Sequence, residues 1–136
     1  MHDAPRFTLN RSLIILRHKP PFLDWLTSID PDPSVTLANM EDDSDVFLIP
    51  DEQLIDSESD AQMWVEQRWA GLFDHMLANW ITDIDAWPKK RSLKMFRQWF
   101  AIEYHSMVWD LAVTDFEVEE WIEDTGSDDA PDVLIH

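Results

Sequence analysis

The sequence predicts an α+β fold: a small sheet of about three strands, packed by two longer helices and one short helix. Three observations carry that expectation. Short apolar runs bounded by charge or proline occur at Leu13–Leu16 and Val46–Ile49. Apolar residues recur at three-four spacing from Val65 to Trp80 and from Leu93 to Tyr104. After His105, Met107, Trp109 and Leu111 alternate with Ser106, Val108 and Asp110. The implied order is strand–helix–strand–helix–helix–strand.

The first strand is expected over residues 11–19, whose continuous apolar centre reads as buried on both faces. Pro20-Pro21 ends it, and proline is compatible with a first helical turn, so a short helix over 21–29 follows at once. Phe22, Leu23, Leu26 and Ile29 fall at helical spacing in it. Asp30-Pro31-Asp32-Pro33 breaks that helix, because a residue before proline is pushed out of the helical region. Residues 34–40 fit either a short strand or one turn of helix.

Residues 41–45 form a polar turn before a second strand at Val46–Ile49, which Pro50 closes. In the loop that follows, Leu54-Ile55 is placed to pin the chain to the core. Ser59-Asp-Ala-Gln62 matches a capping box, and the helix it opens is expected to run to about Trp80. Gly71 inside that helix costs about 1 kcal/mol relative to alanine, which suggests a close crossing there. Residues 82–86 connect, and Pro88 is expected as the first residue of the next helix, with Leu93, Phe96, Phe100 and Tyr104 on its inner stripe and Met95, Trp99 and Ile102 widening it. Residues 106–112 read as the third strand; the competing reading continues the helix to about 111.

A chain of 136 residues with 45% apolar content suffices for one packed domain. We place that domain at 1–114 and an acidic tail at 115–136, where nine acids occur without a basic residue. The chain has no cysteine, which removes disulfides, thiol nucleophiles and thiolate metal sites. No apolar segment approaches the length of a membrane span, and the first residues lack the pattern of a signal peptide. The expected compartment is the cytoplasm.

Net charge is −18, from 28 acidic and 10 basic residues. Such a field repels phosphate backbones and anionic lipid, so direct nucleic-acid binding and membrane binding are not expected; a protein partner with a basic surface is. Residues 41–60 hold nine carboxylates and no cation, but lack the glycine and glutamate spacing of a calcium loop, and no metal or cofactor is expected. A DNA mimic would need those acids held on regular structure.

Half of the ten basic residues lie within nine positions: Lys89, Lys90, Arg91, Lys94 and Arg97, beside Trp87. At the start of a helix these cations oppose the macrodipole. Together with free backbone N–H groups they would accept an anion, supplied by a ligand, an acidic partner, or the chain's own tail or 41–60 loop. His105, with Glu103 or Asp110, is the candidate acid/base for the alternative of a small enzyme. With only Gly71 and Gly126 there is no glycine-rich phosphate loop or nucleophile elbow. Eight tryptophans are many for this length, and Trp64, Trp87 and Trp121 fit the apolar faces least well.

The segments SLIILRHKPPFLDWL, VFLIPD, WPKKRSLKMFRQWF and EYHSMVWDL resemble a family of small, acidic, uncharacterised bacterial proteins. The resemblance spans roughly residues 11–111 and implies a single cytosolic domain. It supplies no activity or substrate. It marks Asp24, Trp25, Trp87, Pro88, Arg91, His105 and Asp110 as positions of interest. The expectation from residues and resemblance together is a protein-interaction module with an anion-accepting basic patch.

Overall fold

The computed structural model describes residues 7–42, 44–51 and 55–120. Its centre is a three-stranded antiparallel sheet in the order β3-β2-β4, formed by β2 (Arg11–His18), β3 (Val46–Pro50) and β4 (Phe100–His105). A minimal second ladder joins β1 (Phe7–Thr8) to β5 (Trp109–Asp110). The helices are α1 (Pro20–Ile29), α2 (Leu37–Glu41), α3 (Glu58–Glu66), α4 (Trp69–Ala78) and α5 (Leu93–Trp99), with a 3₁₀ turn at Ile84–Ala86. The α+β class is as expected.

β2 is central but not buried on both faces. Ser12, Ile14, Leu16 and His18 are buried, while the residues between them are half-exposed. Every one of the five helices contributes a buried side chain to the core on the Ile14–Leu16 side: Phe22, Met40, Val65, Phe73 and Phe96 among them. That leaves Leu13, Ile15 and Arg17 on the opposite face, in register with Leu48 and Val46 of β3 and with His105, Glu103 and Ala101 of β4. A sheet covered on one side needs only alternate apolar residues; β2 carries extra ones.

The ambiguous stretch 34–40 is helical from Leu37 onward. Thr36 accepts from the Asn39 N–H at 3.2 Å and caps α2, which buries Met40. The single helix expected over 59–80 is two helices. Its cap is Ser57, whose Oγ accepts from the Asp60 N–H, rather than Ser59. Arg68 leaves helical geometry at φ −115°, ψ 21°. Glu66, Gln67 and Arg68 supply no apolar anchor at the break, and Arg68 instead lies 3.5 Å over the Trp64 ring. Gly71 makes no close crossing: a Cβ there would meet nothing within 4 Å. Ile55 is buried as expected, and Leu54 lies outside the described residues.

The largest correction concerns residues 88–112. Pro88 does not begin a helix; α5 begins at Leu93, capped by Ser92 through the Met95 N–H at 3.2 Å. It lasts seven residues and gives way at Phe100 to β4, earlier than the strand expected at 106–112. Phe100, Ile102 and Tyr104 satisfy alternation as well as helical spacing, and six-residue pairing with β2 decides between them. Of 106–112, only Trp109–Asp110 pairs, and it pairs with β1.

The rings of Phe22, Trp25, Phe73, Phe96, Trp99 and Phe100 pack with centroids 5.2–6.1 Å apart, mostly tilted or edge-on, the arrangement aromatic quadrupoles favour. Trp25 Nε1 donates to the Ala86 carbonyl at 3.0 Å and Trp87 Nε1 to Ile81 at 2.8 Å, tying the 81–87 connection to α1 and to itself. Among the described residues no helix is long and apolar enough to cross a membrane.

Candidate functional site

The basic cluster does not stand as one patch at a helix start. Lys89, Lys90 and Arg91 precede α5, Lys94 lies in its first turn, and Arg97 lies in its last turn, where the dipole favours a cation. Arg91 Nη2 donates to Asp74 Oδ1 at 2.8 Å and Nη1 to the Pro88 carbonyl at 2.8 Å, with its guanidinium 5.6 Å from the Trp87 ring centre. Arg97 donates Nε and Nη2 to the two oxygens of Glu66, at 2.9 and 2.8 Å. Lys89 Nζ donates to the Asp85 carbonyl at 2.8 Å. The carboxylate partners of the two arginines thus come from α4 and α3.

The hydrogen bonds from Arg97 hold the Glu66 carboxyl below the usual range, against its partial burial and with help from Gln62. The same pair raises the Arg97 guanidinium. Two cavities flank this ion pair. One, of about 200 Å³, opens between α3, α5 and β4 and is bordered by Lys19, Gln62, Phe96 and Ile102; the other, of about 450 Å³, is bordered by Met63, Trp69 and Leu93.

His105 and Glu103 do meet, at 2.6 Å between Nε2 and Oε2, on the sheet face opposite the core. Arg17 Nε and Nη2 hold the other Glu103 oxygen at 2.8 Å, and Arg17 also reaches Glu41 at 3.6 Å. The bonds from His105 and then Arg17 keep the Glu103 carboxyl below its ordinary range. Asp110 does not join them by a hydrogen bond; its Oδ1 accepts from the Ala112 N–H at 2.9 Å. Ser12, on the strand beside them, is buried and donates to the Ser106 carbonyl. The arrangement is an ionic ladder across β2 and β4, with Glu103 occupied from both sides.

Sequence reasoning did not find Arg17, Glu66, Asp74 or Lys19, since partners 17 to 86 residues apart leave no local signal. The structure also joins His75 of α4 and Asn79 just after it to Asp45, with His75 Nε2 2.5 Å and Asn79 Nδ2 2.8 Å from Asp45 Oδ2. Burial pushes the Asp45 carboxyl up, but those bonds outweigh it and the net direction is down.

A run of exposed large apolar side chains follows β4. Met107, Trp109, Leu111, Val113, Phe116 and Val118 are 51–75% exposed. Between and after them stand Asp110, Asp115, Glu117, Glu119 and Glu120. Apart from the two-residue pairing with β1, this segment carries no regular structure through residue 120. Trp64 and Trp87, by contrast, pack against the core, and Trp121 lies outside the described residues. Comparisons with protein-family models, with curated proteins and with solved structures each give no match.

Proposed function

We propose that this protein is an interaction module that offers the extended segment Met107–Val118 to a protein partner with an apolar groove rimmed by lysine and arginine. One observation carries the reading: six large apolar side chains stand exposed in twelve residues, interleaved with acids. An exposed apolar surface of that density is uncommon unless something covers it. Fully burying one such side chain contributes roughly 1.5–3 kcal/mol, so two or three suffice for a working affinity once ordering costs are met. The acids supply orientation and on-rate, and the −18 net charge selects against acidic partners. Trp109 is the natural anchor, because aromatic residues dominate the energetics of interfaces.

The test is a titration of the full chain with a lysine-and-leucine amphipathic peptide, followed by backbone amide shifts. Saturable changes concentrated at 107–118, and lost in a Trp109→Ser, Leu111→Ser, Phe116→Ser variant, support the reading. Changes spread over acidic residues elsewhere, with unaltered affinity in the triple variant, refute it.

A further inference from the structure

The cavity of about 200 Å³ between α3, α5 and β4 has the parts of a binding site, and none of its lining residues belongs to the segment proposed above. Its polar wall is two cations against one carboxylate: Lys19 and Arg97 opposite Glu66. In a chain of net charge −18 that local excess of positive charge is unusual. Glu66 is already occupied, both oxygens by Arg97 and one also by Gln62 Nε2 at 3.3 Å. Lys19 Nζ spends one bond, to the Arg97 carbonyl at 3.1 Å. An ammonium carries three donors, so two remain.

The sheet adds backbone donors. The Lys19 N–H donates to the Trp99 carbonyl at 2.8 Å, one step beyond the His18↔Phe100 pair and in the same register. Residue pairs in an antiparallel ladder alternate between hydrogen-bonded and non-bonded. The bonded pairs are therefore Arg17↔Ala101, Ile15↔Glu103 and Leu13↔His105, and the backbone of Phe100, Ile102 and Tyr104 points to the open edge of β4. The Phe100 N–H turns back to Phe96 as the helix cap. The Ile102 N–H faces the edge that borders the cavity, where no strand pairs among the described residues. Phe96 and the Ile102 side chain supply the apolar wall.

We propose that this cavity binds a small aliphatic monocarboxylate of about the size of a branched five- or six-carbon acid. Its carboxylate would lie against Lys19 and the Ile102 N–H, and its tail against Phe96. A cation is disfavoured by the two resident cations. A large anion such as a nucleotide is excluded by the volume, which is below the roughly 300–1,000 Å³ of drug-sized pockets.

The experiment is an amide and side-chain shift titration of the full chain with 4-methylpentanoate, and in parallel with 4-methylpentanamide. The expected result is saturable change at Gln62, Ala101 and Ile102 in the millimolar range. The amide should bind at least tenfold more weakly, and Lys19→Met should cost a comparable factor while its spectrum stays dispersed. Equal binding of acid and amide, or no saturation by either, overturns the proposal. The acid–amide comparison needs no variant, so the test survives any misfolding of Lys19→Met. Shifts at 107–118 report the other surface and leave the two proposals separable.

Discussion

Arg97 and Glu66, 31 residues apart, meet through two parallel hydrogen bonds that join the end of α5 to the end of α3. The Glu66 side chain is 11% exposed while that of Arg97 is 57% exposed, so the carboxylate is the half of the pair that depends on its partner. Arg97→Lys keeps the charge but loses the fork geometry of the guanidinium. It is expected to lower the denaturation midpoint and to raise the Glu66 pKa toward the ordinary glutamate value. Carbon-detected titration of the glutamate carboxyls checks the second effect, and an unmoved Glu66 would show that the fork contributes nothing.

His18 contributes to the acid limb of stability between pH 6.5 and about 4. It is 7% exposed, neither ring nitrogen has a hydrogen-bond partner, and its neighbours are the rings of Phe22, Trp80 and Phe100. Desolvation pushes its pKa from 6.5 down to about 4, only partly opposed by the Asp45 charge. Below pH 6.5 the unfolded chain takes up a proton that the folded chain refuses, so stability present above 6.5 is lost as pH falls toward 4. The slope is about 1.4 kcal/mol per pH unit and the total roughly 3 kcal/mol. His18→Phe should flatten this limb and stabilise the protein at neutral pH by about 1 kcal/mol, since an unsatisfied buried polar group costs of that order. Urea denaturation at pH 7 and pH 5 of both proteins decides it.

Two serines distinguish the observed start of α3 from the one local pattern suggests. Ser57→Ala removes the acceptor for the Asp60 N–H and should cost about 1 kcal/mol. Ser59→Ala lies inside the helix and should change stability by no more than a few tenths of a kcal/mol, or improve it slightly. Equal losses at the two positions would place the cap elsewhere.

Gly71→Ala is expected to stabilise by roughly 0.5–1 kcal/mol. The new methyl meets nothing within 4 Å, and alanine restricts the unfolded chain and favours helix. Thermal melts of the two proteins provide the check.

Phe73 is fully buried and its ring contacts those of Phe96, Trp99 and Phe100, linking α4 to α5 and β4. Phe73→Ala should cost about 3–5 kcal/mol, the usual range for truncating a core aromatic. Phe116→Ala, on a side chain 63% exposed, should leave stability within about 0.5 kcal/mol. The contrast separates residues that hold the fold from residues that face outward.

By itself the sequence determined the fold class, the two strands it placed at 11–19 and 46–49, the helix after Pro20 and most of the core. Each of these rests on local spacing and on proline, which act within a few residues of chain. The tertiary structure decided where α5 becomes β4. Phe96, Phe100 and Tyr104 fit a helical stripe, Phe100, Ile102 and Tyr104 fit a strand, and only the ladder with β2 chooses. It also decided which cations are engaged. Arg91 and Arg97 read as one cluster along the chain, yet Asp74 and Glu66 reach them from different helices. Charge spacing is local information, but a charge's partner is set by packing, and packing here brings together residues 17 and 31 positions apart.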